Sequence, residues 1–184
     1  MHWIDPQSLP ETKHRVRQFL VNPEGYVEGF ISVEGQQVLV PPHLGRALTR
    51  AVTAGDLVYA RGIKPRNADV IAAVLIESAH GLRIEDHGTP DRPRAEKRSR
   101  TAKREMEGEV ERVLYGPRGE RRGLLFQNGV TVHFAPELAE DLEEFLTPGI
   151  RMFVSGNLRT TKWGTVLDAD YFWHPSDEDI SKAK

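Results

Sequence analysis

Between residues 107 and 173 the apolar positions fall into five short stretches with strand spacing and one with helix spacing. EGEVERVLYG (107–116), RRGLLFQ (121–127) and TVHFA (131–135) predict three strands, separated by the turn-forming PRGE and by Asn128-Gly129. An Asn-Gly pair between two such stretches predicts a two-residue type I′ hairpin, because that turn needs positive φ at both central positions. Pro136 suits the first turn of a helix, where its missing N–H has no bond to lose. Leu138, Leu142, Phe145 and Leu146 then line one helical face. Pro148-Gly149 ends the helix, and IRMFVSG (150–156) and TVLDADYF (165–172) predict two further strands.

The same pattern stands 94 positions earlier without a gap. Val16/Val110, Pro23/Pro117, Gly25/Gly119, Gly29/Gly123, Gly35/Gly129, Pro42/Pro136, Leu48/Leu142, Gly55/Gly149 and Gly62/Gly156 all coincide. Matches on glycines, prolines and apolar positions, the residues that set turns and cores, indicate a tandem duplication of a small domain. The organisation expected is an N-terminal extension (1–13), repeat 1 (14–79), a basic linker (80–106), repeat 2 (107–173) and a polar tail (174–184). The stretch from Arg92 to Arg104 holds seven basic residues and one acidic one. It reads either as a solvated tether or as an arm that contacts phosphates.

Strand, strand, strand, helix, strand, strand is the element order of the OB-fold, and both repeats resemble that small five-stranded Greek-key barrel. A ββαββ open sheet and an SH3-like barrel are compatible with the order too. Closure favours a barrel in so small a unit, since it removes exposed strand edges. The expected class is therefore mainly β: two tandem five-stranded OB-like barrels, each with one α-helix between strands 3 and 4. The resemblance implies a ligand on the strand 2–3 face, flanked by the loops after strands 1 and 4.

A two-residue turn at 128–129 pairs Phe126 with Thr131 and Leu125 with Val132. That register sends Leu125, Val132 and Phe134 inward and Arg122, Leu124, Phe126, Thr131 and His133 outward. The outward set in repeat 1 is Glu28, Phe30, Ser32, Gln37 and Leu39. The flanking loops of repeat 2 add Arg118, Arg121 and Arg122 on one side and Arg159, Lys162 and Trp163 on the other; repeat 1 offers Lys64 and Arg66. Cations beside outward aromatic rings suit single-stranded nucleic acid, whose bases stack on such rings. The bland alternative is that Phe30, Leu39, Leu124 and Phe126 pack barrel on barrel or bury a dimer face, with Trp163 lying over the barrel mouth.

Charge changes this picture in detail only. The 184 residues carry a net charge of −2, unlike a strongly basic non-specific nucleic-acid binder. Repeat 1 is at +1, the linker at +3 and repeat 2 at −4, with five of the acids of repeat 2 on its predicted helix. There are no cysteines, and the N-terminus lacks the features of a secretory signal, so a cytoplasmic location is expected. No apolar run is long enough to span a membrane.

No nucleophile elbow, P-loop or dinucleotide-binding pattern occurs, and the seven histidines are scattered. No catalytic residue, cofactor or metal is expected. Asp168 and Asp170 read as solvent-facing strand acids. The leading expectation is a non-enzymatic protein that binds single-stranded DNA or RNA, mainly through the strand 2–3 face and loops of repeat 2 with help from the linker. The alternative is a protein-interaction or assembly module using the outward apolar faces; an oligosaccharide in the same groove is a third reading.

Overall fold

The computed structural model describes residues 5–87, 101–143 and 146–174. These residues form two compact units, one holding residues up to 87 together with 115–120, the other holding 101–114 and 121 onward. The stretch 88–100, with most of the basic run, and the tail beyond residue 174 lie outside the described residues.

In the first unit the strands are β1 (Glu11–Val21), β2 (Val27–Ser32), β3 (Gln37–Leu39), β4 (Leu57–Ile63) and β5 (Val70–Ser78), with helix α1 (Gly45–Ala51) between β3 and β4. Antiparallel pairing joins β3 to β2, β2 to β1, β1 to β4 and β4 to β5, and a parallel ladder of β3 on β5 closes the ring. A short strand β6 (Arg83–Glu85) adds to the outer edge of β5. The second unit repeats the plan with β7 (Ala102–Tyr115), β8 (Arg121–Phe126), β9 (Thr131–His133), helix α2 (Pro136–Asp141), β10 (Arg151–Thr161) and β11 (Gly164–Trp173). Its ring runs β10-β11-β9-β8-β7, closed by β7 on β10, and again the link of β9 to β11 is parallel. The protein is a tandem pair of OB-like barrels. Its strands reach into the stretch read as linker, through β6 and the first residues of β7.

Closing so few strands bends them sharply, and the shared glycines sit where the chains approach most closely. A Cβ on Gly123 would stand 2.3 Å from the Val132 carbonyl oxygen, and one on Gly156 2.1 Å from that of Asp168. Gly29 and Gly62 face the same obstruction in the first unit. At Gly62 and at Gly156 the pairing of the last two strands shifts register, a bulge kept in both copies.

The hairpin between strands 2 and 3 departs from expectation. Gly129 N–H donates to Phe126 O at 2.8 Å, and Phe126 N–H donates to Val130 O at 3.0 Å. The loop is therefore three residues long, Gln127, Asn128 and Gly129, with Gly129 at φ 85°. No described residue other than glycine has positive φ, so Asn128 does not take the conformation a type I′ turn demands. This is a type I turn with a glycine bulge. The first unit repeats it: Gly35 N–H donates to Ser32 O, and Ser32 N–H donates to Gln36 O. The register becomes Leu124 on Val132 and Leu125 on Thr131, and Phe30 on Val38 and Ile31 on Gln37. A shift of one residue turns β8 and β2 over relative to the sequence-based expectation while leaving β9 and β3 as read.

The second core accordingly gathers Val110, Leu124, Phe126, Val132, Phe134, Met152, Val154 and Leu167 under Ala139, Leu142 and Leu146, with Leu138 partly buried against it. The expected helix is shorter than read: α2 ends at Asp141, so of the predicted stripe only Leu138 is helical, while Leu142 at its C-cap and Leu146 beyond it still reach the core and Phe145 lies outside the described residues. The two cores are packed by a size exchange. Positions 14 and 32 hold histidine and serine, while their equivalents 108 and 126 hold glycine and phenylalanine. The Phe126 ring fills the space in front of Gly108, where a Cβ would be 2.0 Å from a ring carbon. In the first unit His14, only 6% exposed, meets the ring of Phe30 edge-on at 6.3 Å and its Nε2 lies 2.8 Å from Thr12 Oγ1.

Two expected outcomes follow from these cores. Gly108→Ala forces the Phe126 ring aside in a packed interior and should lower stability by about 1–3 kcal/mol, measured by urea denaturation of the full chain. His14 behaves differently, through acid. Burial holds its pKa below the ordinary 6.5, an effect partly offset by the Glu34 carboxylate. The unfolded chain therefore takes up that proton first, so the contribution is fully present above pH 6.5 and is lost as pH falls below it. Stability followed from pH 7.5 to pH 5.5 should fall, on the order of one proton's linkage, and His14→Gln should flatten that slope.

Candidate nucleic-acid interface

The register decides which predicted residues remain on a surface. Phe126 is fully buried in the second core, as is Leu124, so neither projects from the strand 2–3 face. Phe30 is likewise buried and meets His14. The side chains that do point outward are Leu125, Thr131 and His133 in the second barrel, and Ile31, Gln37 and Leu39 in the first. These correct the predicted outward sets, and they offer no aromatic ring. Leu125, Thr131, Ile31, Gln37 and Leu39 are also buried. Within the first unit one cause is visible: the Gln37 amide donates from Nε2 to Tyr115 O at 2.8 Å and accepts at Oε1 from Tyr115 N–H at 2.9 Å.

The predicted cations divide between the units. Arg118 lies on the 116–120 turn, which belongs with the first unit and is held by Gly116 N–H on Glu120 O at 2.7 Å. Gly119 of that turn lies against the Asn67 side chain, so Arg118 neighbours the loop that carries Lys64 and Arg66. All three cations are exposed, and Lys64 Nζ pairs with Asp69 Oδ1 at 2.6 Å.

The remainder belong to the second unit. Arg121 extends to Glu143 at 3.1 Å across exposed surface. Arg122, at the start of β8, accepts the Phe134 N–H with its carbonyl oxygen. His133 Nδ1 lies 3.3 Å from Asp168 Oδ1, as the pairing of those two residues across β9 and β11 requires. Asp168 is therefore a partner of His133, and Asp170 instead meets Lys103 at 3.4 Å.

Arg159 stands in a strand, not in the predicted loop. β10 runs through the β-branched Thr160 and Thr161, pairs Arg159 with Val166, and returns through a two-residue turn of Lys162 and Trp163. At that tip the Lys162 ammonium lies 4.6 Å from the centroid of the Trp163 ring, and Trp163 N–H donates to Thr161 Oγ1 at 3.1 Å. The turn thus presents a cation and an aromatic ring together, with Arg159 on the strand leading to it.

Comparison with protein-family models and with curated proteins finds no match. Among solved structures the chain is similar to the single-stranded DNA binding protein from Thermus aquaticus, both as wild type and as a deletion mutant carrying R190A. Identity is 18% with each, the likeness covers 90% of this chain and 90–91% of those chains, and the TM-score is 0.30. A superposition of that quality carries no weight for what this chain binds.

Two features escaped the sequence reading. One is the outer face of β10 and β11, where Phe153, Tyr171 and Trp173 cluster. The alternation of Tyr171 and Trp173 along the last strand was the available signal, masked by taking that strand only for its acids. The other is an orphaned donor: Arg112 Nη1 on β7 is buried without a hydrogen-bond partner. Among the described residues no three His, Cys, Asp or Glu side chains gather into a metal-binding group, and no helix is long and apolar enough to cross a membrane.

The register has a direct test. Phe126→Ala should cost about 3–5 kcal/mol of stability, as expected for an aromatic ring removed from a packed core. A denaturation midpoint unchanged from the parent would put the ring back on the surface.

Proposed function

We propose that the protein binds single-stranded nucleic acid without catalysing a reaction on it, with the β10–β11 turn as the stacking element. The observation that carries this reading is the Lys162–Trp163 pair at the tip of the second barrel, with Arg159 beside it. A ring that stacks on a base is worth about 1–3 kcal/mol, and an adjacent ammonium meets the phosphate that the base brings with it. Arg121 on the second unit, and Arg118, Lys64 and Arg66 on the first, supply further cationic positions, whereas Arg122 stands opposite the core residue Phe134 and shares its side of the strand.

Several of these cations are already paired with carboxylates, Arg121 with Glu143 and Lys64 with Asp69. Both pairs are exposed, and exposed pairs contribute about 0–1 kcal/mol. A phosphate therefore displaces such a carboxylate at small cost, and binding through these positions is moderate and sensitive to salt. Phe126, taken from the sequence as a stacking ring, has no part in this reading.

Fluorescence anisotropy of labelled oligothymidine and oligouridine, titrated with the full chain at about 50 and 200 mM salt, tests it. Binding should weaken steeply with salt. Trp163→Ala should weaken it by roughly fivefold to a hundredfold, the equivalent of one lost stack. Arg159→Glu should reduce the slope against salt by about one unit or more. No binding to either strand at the lower salt would rule the reading out.

A further inference from the structure

The outer face of β7, β10 and β11 in the second barrel carries its side chains in rows. Glu105, Ser155 and Tyr171 form one row, Glu107, Phe153 and Trp173 the next, and Glu109 with Arg151 the third. Met152 and Val154, which alternate with these on β10, are core residues, so the rows point away from the interior. Phe153 and Trp173 stack at 5.4 Å with 7° between their planes, and Tyr171 lies 5.8 Å from Trp173. Tyr171 is 62% exposed. Around these rings stand the carboxylates of Glu105, Glu107, Glu109 and Asp170 and two cations, Arg151, which pairs with Glu107 at 3.2 Å, and Lys103, which pairs with Asp170 at 3.4 Å. The face is therefore aromatic and negatively charged, which repels phosphate and attracts cations.

The first row is the informative one. Between Glu105 and Tyr171 stands only Ser155, small and 9% exposed. Two strand spacings, about 10 Å, separate the outer backbones. The row is a notch, with a carboxylate at one end and an exposed tyrosine ring at the other.

The first barrel shows what the carboxylate of this row meets when an arginine is at hand, although there the residue on the far strand is the buried Leu75 and not a ring. Its β1 pairs with β4 in the same register, Glu11 on Arg61, Lys13 on Tyr59 and Arg15 on Leu57. Glu11 is the equivalent of Glu105, and Arg61 is the equivalent of Ser155. The Arg61 guanidinium pairs with Glu11 Oε2 at 2.7 Å and donates to Leu9 O at 3.0 Å. Where the first barrel supplies its own arginine, the second has a serine, a carboxylate and an exposed ring.

We propose that the notch formed by Glu105, Ser155 and Tyr171 is a docking site for an arginine-bearing peptide segment of a protein partner, distinct from the nucleic-acid reading and independent of it. A guanidinium is planar, so it stacks on Tyr171 while its fork of N–H groups meets the Glu105 carboxylate. Lysine has the charge without that shape. Charge complementarity and the arginine already seated at the equivalent place in the first barrel favour this occupant over a nucleic acid, a sugar or a second copy of the chain.

The test uses the full chain and fluorescein-labelled (Gly-Arg)4, (Gly-Lys)4 and (Gly-Glu)4 peptides, followed by anisotropy at low salt. The arginine peptide should bind more tightly than the lysine peptide, and the glutamate peptide should not bind. Tyr171→Ala and Glu105→Gln should each weaken the arginine peptide by fivefold or more. Ser155→Arg, which gives the second barrel the arginine of the first, should abolish it. Thermal unfolding of Tyr171→Ala and Glu105→Gln, both at exposed positions, verifies that they remain folded. No binding of the arginine peptide, or equal binding to parent, Tyr171→Ala and Glu105→Gln, would overturn the proposal. So would a loss of oligothymidine binding in Tyr171→Ala, since the rings would then serve nucleic acid.

Discussion

Each barrel is closed by a parallel ladder of only three residue pairs between its third and fifth strands. Everything else in the unit has to bend far enough to bring those two short segments together. The bending places Gly29 and Gly123 directly over the carbonyl of the paired third strand, and Gly62 and Gly156 over that of the fifth. A side chain at any of these four positions would occupy backbone. The duplicated glycines therefore report closure itself, and their survival in both copies at one spacing is the reason the architecture was legible from the sequence. The helix follows from the same constraint, because Leu48 in one copy and Leu142 in the other cover the interior that closure leaves.

The faces were not legible, and the cause is local. Asn128-Gly129 and Glu34-Gly35 fit both a two-residue and a three-residue hairpin, and the two differ in whether the residue before glycine also takes positive φ. Only glycine does so here. Once the turn takes three residues, β8 rotates by one position against β9, and Phe126 exchanges the surface for the core. The sequence carried a clue in the pair of positions 108 and 126. A glycine in a strand that otherwise alternates makes room for something, and here it makes room for the Phe126 ring. Reading each strand alone conceals this, because the two residues are neighbours only after the barrel closes.

The cationic residues were found as residues but not as a site. Arg118, Lys64 and Arg66 belong to the first unit, whereas Arg121, Arg122, Arg159 and Lys162 belong to the second, together with the predicted His133 and Trp163. Spacing along the chain cannot report ion pairing between strands, so the carboxylates facing Arg121 and His133 were also out of sight. Lys162 and Trp163 adjoin in the sequence and lie side by side on the turn they form. The shortness of that turn was not legible, since the threonines before it extend the strand to its tip.

The two copies have diverged by trading side chains, and the trades obey different rules inside and outside the barrel. Inside, histidine and serine at 14 and 32 became, or came from, glycine and phenylalanine at 108 and 126. An interior packed to crystal-like density tolerates a large residue only where a small one stands opposite, so the two changes are tied to one another. Outside, no such bond exists. Arg61 in one copy is Ser155 in the other while the facing carboxylate remains, as Glu11 and as Glu105. On an exposed face water tolerates the unmatched carboxylate, so stability does not demand that the arginine be replaced from within. The ring of Tyr171 at the other end of that row is 62% exposed, a surface that a guanidinium could cover favourably. A carboxylate that has lost its internal partner, facing a ring that has not been covered, is the arrangement expected where the missing group comes from another molecule.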